Sequence, residues 1–152
     1  MPTQTAVDSF TDAELAAWRG FLRTHAALVK QLDADLEAHH QLPLTSYDVL
    51  TTLADQPDGR LRMRDLADAV VLSRSGLTRL VDRLQREGLI DREQCTSDAR
   101  GAYAVLTPAG RARLREAQPL HRKGVRRRFL SRFSAEELAL LAEFWERLRL
   151  DM

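Results

Sequence analysis

The sequence predicts a mainly α (α+β) fold in which a middle lobe of short helices and one hairpin lies between long helices at both ends of the chain. Three observations carry this. Apolar residues recur at three- and four-residue steps from Thr11 to about His39; helix-start signals at Thr107–Pro108 and at Ser134 open two more helices; and the stretch 42–106 has a shorter rhythm broken by turn residues. With 152 residues, 44% hydrophobic and 30% charged, the chain has the composition of one soluble domain with a real core, which excludes the disordered and membrane classes. No apolar run approaches the roughly 20 residues of a spanning helix. The start, "MPTQTAVDSF", lacks the charged and apolar regions of a secretion signal, so the expected location is the cytoplasm. A single cysteine, Cys95, cannot staple the chain to itself, which fits a reducing compartment.

The first helix opens on a capping box, Thr11 with Glu14, and Phe10 with Leu15 is spaced as a hydrophobic staple around it. Leu15, Trp18, Leu22, Ala26, Val29, Leu32 and Leu36 then form one stripe, with no glycine after Gly20 and no proline before Pro43. A helix this long outruns what a small lobe buries, so its stripe is expected to meet a partner chain or the chain's own far end. At that far end Thr107 and Pro108 suit the cap and first position of a second long helix, and Ser134 with Glu137 forms a capping box for a third. Leu138, Leu141, Trp145 and Leu148 give this last helix an apolar stripe of its own.

In the middle, Thr45 is expected to cap "SYDVLTTLAD", the turn Pro57–Gly59 leads to the helix "MRDLADAVV", and Ser73 caps "RSGLTRLVDRLQRE". After Gly88, "LIDREQ" and "AYAVLT" read as strands around "CTSDARG". Helix, helix, helix, hairpin is the order of a winged helix-turn-helix lobe, and the long N- and C-terminal helices then become a dimerisation region. The expected division is 1–40 and 108–152 for dimerisation and 41–107 for the lobe.

Net charge is +1, divided as −3 over residues 1–40, −1 over 41–110 and +5 over 111–152, so contact with an anionic partner would depend on placed arginines and not on a bulk field. The helix after Ser73 places them. Leu77, Leu80, Val81 and Leu84 fall on one face. Ser75, Thr78, Arg79 and Asp82 fall on another, with Arg74 and Arg83 at its margins. Arginines beside short hydroxyls suit base edges in a major groove, since a guanidinium can bond guanine bidentately. A solvated arginine-rich face is the alternative. In the hairpin, Asp98 and Arg100 are close enough for the carboxylate to hold the guanidinium in a pose that suits a narrow minor groove.

These motifs, "LADAVVLSRSGLTRLVDRLQREGLIDRE" and "SDARGAYAVLTPAG" in the order long helix, winged lobe, two closing helices, resemble the MarR family of bacterial transcription regulators over nearly the whole chain. The resemblance implies a homodimer with two lobes that bind double-stranded DNA at an inverted-repeat operator. It also implies repression, often released by a small phenolic or anionic effector. Carried onto this chain, it gives a recognition helix over Ser73–Glu87 and a wing arginine at Arg100 supported by Asp98. The family places effectors between the dimer helices and the lobe, for which Trp18, Arg23, His39 and Tyr47 are candidates; Trp18 and Tyr47 also suit plain core packing.

Other constellations lead elsewhere. His39 and His40 point about 100° apart on a helix and cannot share a metal ion, so no metal site and no cofactor are expected. A redox- or metal-responsive regulator of the same fold is an alternative: Cys95 lies in the wing strand near Arg92 and Arg100, but redox-sensing relatives carry their cysteine in the first helix. The arginines of "HRKGVRRRFL" are expected to meet the acidic "DADLE" of the first helix or to stay solvated, and Phe129 and Phe133 to join a dimer core. Nothing resembles a phosphate loop, a nucleophile elbow or a paired metal motif, so no enzymatic activity is expected. The competing class is a winged helix used only for protein interaction.

Overall fold

The computed structural model describes residues 9–70, 72–94 and 101–149. Helix α1 (Asp12–His40) starts at the expected box: the Glu14 N–H donates to Thr11 Oγ1 at 3.2 Å and the Thr11 N–H to the Glu14 carboxylate at 2.8 Å. It ends where Gln41 turns left-handed, at φ 46°, and its N–H reaches the Glu37 carbonyl. Only Leu36 of this helix is buried within the chain.

Helix α2 (Leu44–Ala54) differs from expectation at its start. Thr45 does not cap it. Pro43 takes the cap position without a side-chain bond, and the Leu44 N–H is satisfied by Asp33 Oδ1 of α1 at 2.8 Å. The helix can begin two residues earlier because its first free donor is met by a carboxylate eleven positions upstream, on a neighbouring helix.

A strand absent from the sequence expectation follows: β1 (Arg60–Arg62), then α3 (Met63–Val70), α4 (Arg74–Arg86), β2 (Ile90–Gln94) and β3 (Ala102–Leu106). The sheet order is β1-β3-β2, all antiparallel, with Leu61 opposite Ala104 and Arg92 opposite the same alanine. Three residues are too few for a periodic signal, yet β1 covers an edge of β3 that would otherwise lie open. Gly59, at φ +67°, turns the chain into β1 and its carbonyl accepts the Leu106 N–H at 2.9 Å.

Leu50, Leu53, Leu66, Leu77, Val81, Leu84, Ile90 and Ala104 form the centre of the core, and Leu36 of α1 with Leu114 and Ala117 of α5 (Pro108–Arg128) close it from outside. The expected cap of α5 is present, and it does two things: Thr107 Oγ1 accepts the Gly110 N–H at 3.0 Å and donates to the Gly88 carbonyl at 2.7 Å. Farther along, Arg128 pairs with Asp35, so one arginine of the basic run does meet "DADLE". That guanidinium holds the Asp35 carboxyl below the usual carboxylate range. Gly124 lies where α5 crosses α1; a Cβ there would sit 3.0 Å from Leu32 Cδ2. A 3-10 turn (Leu130–Arg132), with Phe129 and Phe133 5.3 Å apart, leads to α6 (Ala135–Arg149), where Glu137 N–H donates to Ser134 Oγ at 3.2 Å. No residue of α6 is buried; Trp145 meets Phe21 of α1 at 5.8 Å.

The first turn of α5 is seated so closely on the start of β2 that a Cβ on Gly110 would lie 2.1 Å from the Leu89 carbonyl oxygen. A backbone oxygen there cannot swing aside. Gly110→Ala should therefore cost about 1–3 kcal/mol or more by overpacking, read as a lowered thermal midpoint. An unchanged midpoint would mean that α5 is not seated this way.

Candidate nucleic-acid interface

Ser73 starts α4 in extended backbone and its Oγ accepts the Gly76 N–H at 3.0 Å, as expected of the cap. Leu77, Leu80, Val81 and Leu84 are all buried, so the inner face is the one anticipated. Ser73, Arg74, Ser75, Thr78, Arg79 and Arg83 are exposed along the outer side. Thr78 Oγ1 donates to the Arg74 carbonyl at 2.8 Å, which leaves its oxygen free to accept. Ser75 Oγ lies 3.3 Å from Ser73 Oγ.

Two members of this face are tied down. Asp82 pairs with Arg92 of β2, and Arg92 also donates to Gln85 Oε1 at 3.2 Å and the Thr78 carbonyl at 3.3 Å. Arg92 thus straps the hairpin to α4 and takes the one carboxylate of that face into an ion pair, which removes a repulsion toward any anion. Arg83 Nη2 donates to Ser46 Oγ of α2 at 2.9 Å. Among the described residues the guanidiniums of Arg74 and Arg79 have no hydrogen-bond or ion-pair partner and project outward.

Sequence reasoning missed the contribution of β1. A groove of about 300 Å³ is lined by Arg62, Met63, Arg64, Arg74, Leu77, Thr78, Gly101 and Ala102. It joins the start of α4 to the base of the hairpin, and three of its eight lining residues are arginines. Arg60 stacks over the Tyr103 ring at 4.0 Å and Arg62 at 5.8 Å, while Arg60 also meets Glu93 at 3.2 Å. The available signal was the density of charge after the Pro57–Gly59 turn, with Arg60, Arg62 and Arg64 within five residues across the end of β1 and the start of α3. Cys95, Asp98 and Arg100 lie outside the described residues.

The four effector candidates are not gathered in one protomer. Trp18, about half exposed, packs against Phe21, and on the same helix His39 lies roughly 30 Å away at 1.5 Å per residue. Arg23 is exposed, and His39 Nδ1–H donates to the Asp35 carbonyl at 3.0 Å. Only Tyr47 is buried, with its ring 4.4 Å from that of His121 at the α2–α5 contact. Among the described residues no three His, Cys, Asp or Glu side chains converge on a metal-sized site, and no helix is long and apolar enough to cross a membrane.

The MarR family model matches residues 40–101. AbsC, a MarR family transcriptional regulator from Streptomyces coelicolor, is 36% identical with a TM-score of 0.85, covering 93% of this chain and 97% of that one. A second MarR family transcriptional regulator of that organism, solved in complex with DNA, is 34% identical with a TM-score of 0.88 over 93% of this chain and 89% of its own. The transcriptional regulator HosA of Escherichia coli O157:H7 is 34% identical over 107 residues, 68% of this chain and 77% of that protein. The chain belongs to the MarR family of transcriptional regulators, with the winged helix-turn-helix architecture read from its sequence.

Among the described residues His121 Nδ1 is buried without a hydrogen-bond partner, and burial holds the imidazole below its ordinary value near 6.5. The unfolded chain therefore binds a proton at pH values where the folded chain does not. Stability is full above about pH 6.5 and falls as pH drops below it. Carboxylates such as Asp35 lose their contribution only below about pH 4, a separate window. The thermal midpoint should fall between about pH 7 and 5.5, and His121→Leu should flatten that slope. An equal slope in both proteins would assign the dependence to another group.

Proposed function

We propose that this regulator is a cytoplasmic homodimeric repressor that binds an inverted-repeat operator in double-stranded DNA. The observation that carries the reading is α4 itself, with four buried leucine and valine side chains below and Arg74, Ser75, Thr78 and Arg79 exposed above. A helix fixed from beneath can carry a rigid donor array into a major groove. The DNA bound by the 34% identical structure supports the same assignment. The groove with Arg62, Arg64 and Arg74 would follow the backbone beside it.

The paired architecture rests on exposed apolar surface. Trp18, Phe21, Leu22 and Val29 of α1 and Leu140, Phe144, Trp145 and Leu148 of α6 are each 40–54% exposed. Eight large apolar side chains on two neighbouring helices are more than a solitary soluble chain leaves in water, and a second copy would cover them. A small phenolic or anionic effector would act at the α2–α5 contact, where His121 Nδ1, beside Tyr47, is buried with no hydrogen-bond partner among the described residues.

Sedimentation at micromolar concentration should give a dimer, and Leu22→Glu with Leu148→Glu should shift it toward monomer. A stable monomer of the parent protein would overturn the paired architecture. On DNA, half-site centres about one helical turn apart are expected. Arg79→Ala should cost about 1–3 kcal/mol and relax preference at one operator position; a loss uniform across sequences would make Arg79 a backbone contact. In the wing, Arg100→Ala should weaken binding and its salt dependence, and Asp98→Ala should also weaken binding although it removes a negative charge. Tighter binding by Asp98→Ala, followed by fluorescence anisotropy at two salt concentrations, would count against a posed arginine.

A further inference from the structure

Ser46 is the sole buried polar or charged residue among those described, 1% exposed on the face of α2 that meets α4. Its hydroxyl has one partner, Arg83 Nη2 at 2.9 Å, contributed from 37 positions along the chain. The bond is unusual in what it leaves undone. A serine hydroxyl is neutral, so it fixes the guanidinium in place without cancelling its charge. No carboxylate lies within ion-pair distance of Arg83 among the described residues. Of the five N–H donors a guanidinium carries, four have no partner among the described residues.

The surroundings fit an anion. Arg83 lines a groove of about 260 Å³ between α2 and α4 with Thr45, Leu72, Gly76, Arg79 and Leu80. Arg79 is four residues before Arg83, and two like charges at that spacing repel in an isolated helix. An acidic side chain one turn away would relieve them, but Asp82 is engaged by Arg92. Thr45, which also lines the groove, lies in the first turn of α2, where backbone N–H groups lack intrahelical acceptors.

We propose that Ser46 is a positioning residue that draws Arg83 back against α2 so that its guanidinium meets a backbone phosphate of the duplex, while Arg79, untethered, reaches the bases. The assignment rests on the DNA-binding reading above and gives two arginines one turn apart different tasks. Untethered, the Arg83 side chain could swing toward the base edges and compete with Arg79. Held by Ser46, it contributes affinity without sequence preference and sets the depth at which α4 enters the groove.

The test compares the parent with Ser46→Ala, Arg83→Ala and the double variant. The probes are the tightest duplex recovered by the parent dimer from a random duplex library and a scrambled duplex of equal length and composition. Arg83→Ala should weaken both complexes by a similar factor, about tenfold, and lower the slope of log affinity against log salt by about 0.9, the value for one phosphate contact. Ser46→Ala should produce part of the same uniform loss and add nothing in the Arg83→Ala background. Thermal midpoints of all variants establish folding, and Arg83→Lys, which keeps the charge but not the fork, should restore the slope more than the affinity. The proposal is overturned if Ser46→Ala lowers the thermal midpoint yet binds both duplexes like the parent. A change of base preference at one position in Arg83→Ala would likewise overturn it, because Arg83 would then read a base. A parent protein that binds no duplex would remove the DNA reading itself, and this assignment with it.

Discussion

The constraint on which the arrangement turns is the seat of α5 on the junction between α4 and β2. Gly110 brings its backbone against the Leu89 carbonyl closer than any side chain would allow, and the Thr107 hydroxyl bonds both the Gly110 N–H and the Gly88 carbonyl. The Thr107 N–H also donates to the Leu89 carbonyl at 3.2 Å. The helix that leaves the lobe is therefore attached at the point where the outward-facing helix ends and the hairpin begins. Leu114 and Ala117, one and two turns farther, then enter the same core as Leu84 and Ile90. A displacement of α5 cannot occur without moving the end of α4.

Electrostatics on α4 follow a consistent pattern of selective neutralisation. Its one outward carboxylate, Asp82, is taken by Arg92, and its margin arginine, Arg83, is held by a neutral hydroxyl. With a middle segment of net charge −1, an overall attraction to phosphate is weak, so the arrangement of individual guanidiniums decides where an anion can sit. Arg60 shows the opposite treatment, packed on Tyr103 and paired with Glu93 and Asp58, which makes it part of the sheet's face and not a free charge.

Most of the helices were legible because their signals are local. Thr11 with Glu14, Ser73, and Thr107 with Pro108 are caps whose donors lie within three residues, and the leucine spacing of α4 gave its inner face directly. What was not legible depends on contacts across the chain. The start of α2 is set by Asp33 and not by Thr45, β1 exists because β3 has an edge to pair, and Arg92 and Ser46 gain their meaning from partners 10 and 37 positions away. The four effector candidates are not gathered within one protomer for a related reason: Trp18 and His39 lie on the same helix, which separates them by its own length. Asp98 and Arg100, the wing pair, remain a reading from sequence.

Helix α1 is fastened near one end. Leu36 in the core, Asp33 on the Leu44 N–H and Asp35 on Arg128 all lie in its last third, whereas Trp18 stands roughly 27 Å from Leu36 along the axis. Such a rod is a lever with its fulcrum inside the lobe. A shift of about 1 Å at Trp18 turns the fulcrum by roughly 2° at that arm length, and the rotation is applied to the core in which Leu36 is buried together with Leu50 of α2. Whatever grips the exposed end of α1 thereby sets the angle at which the lobe is presented, so shape at the distant end becomes orientation at the outward face of α4.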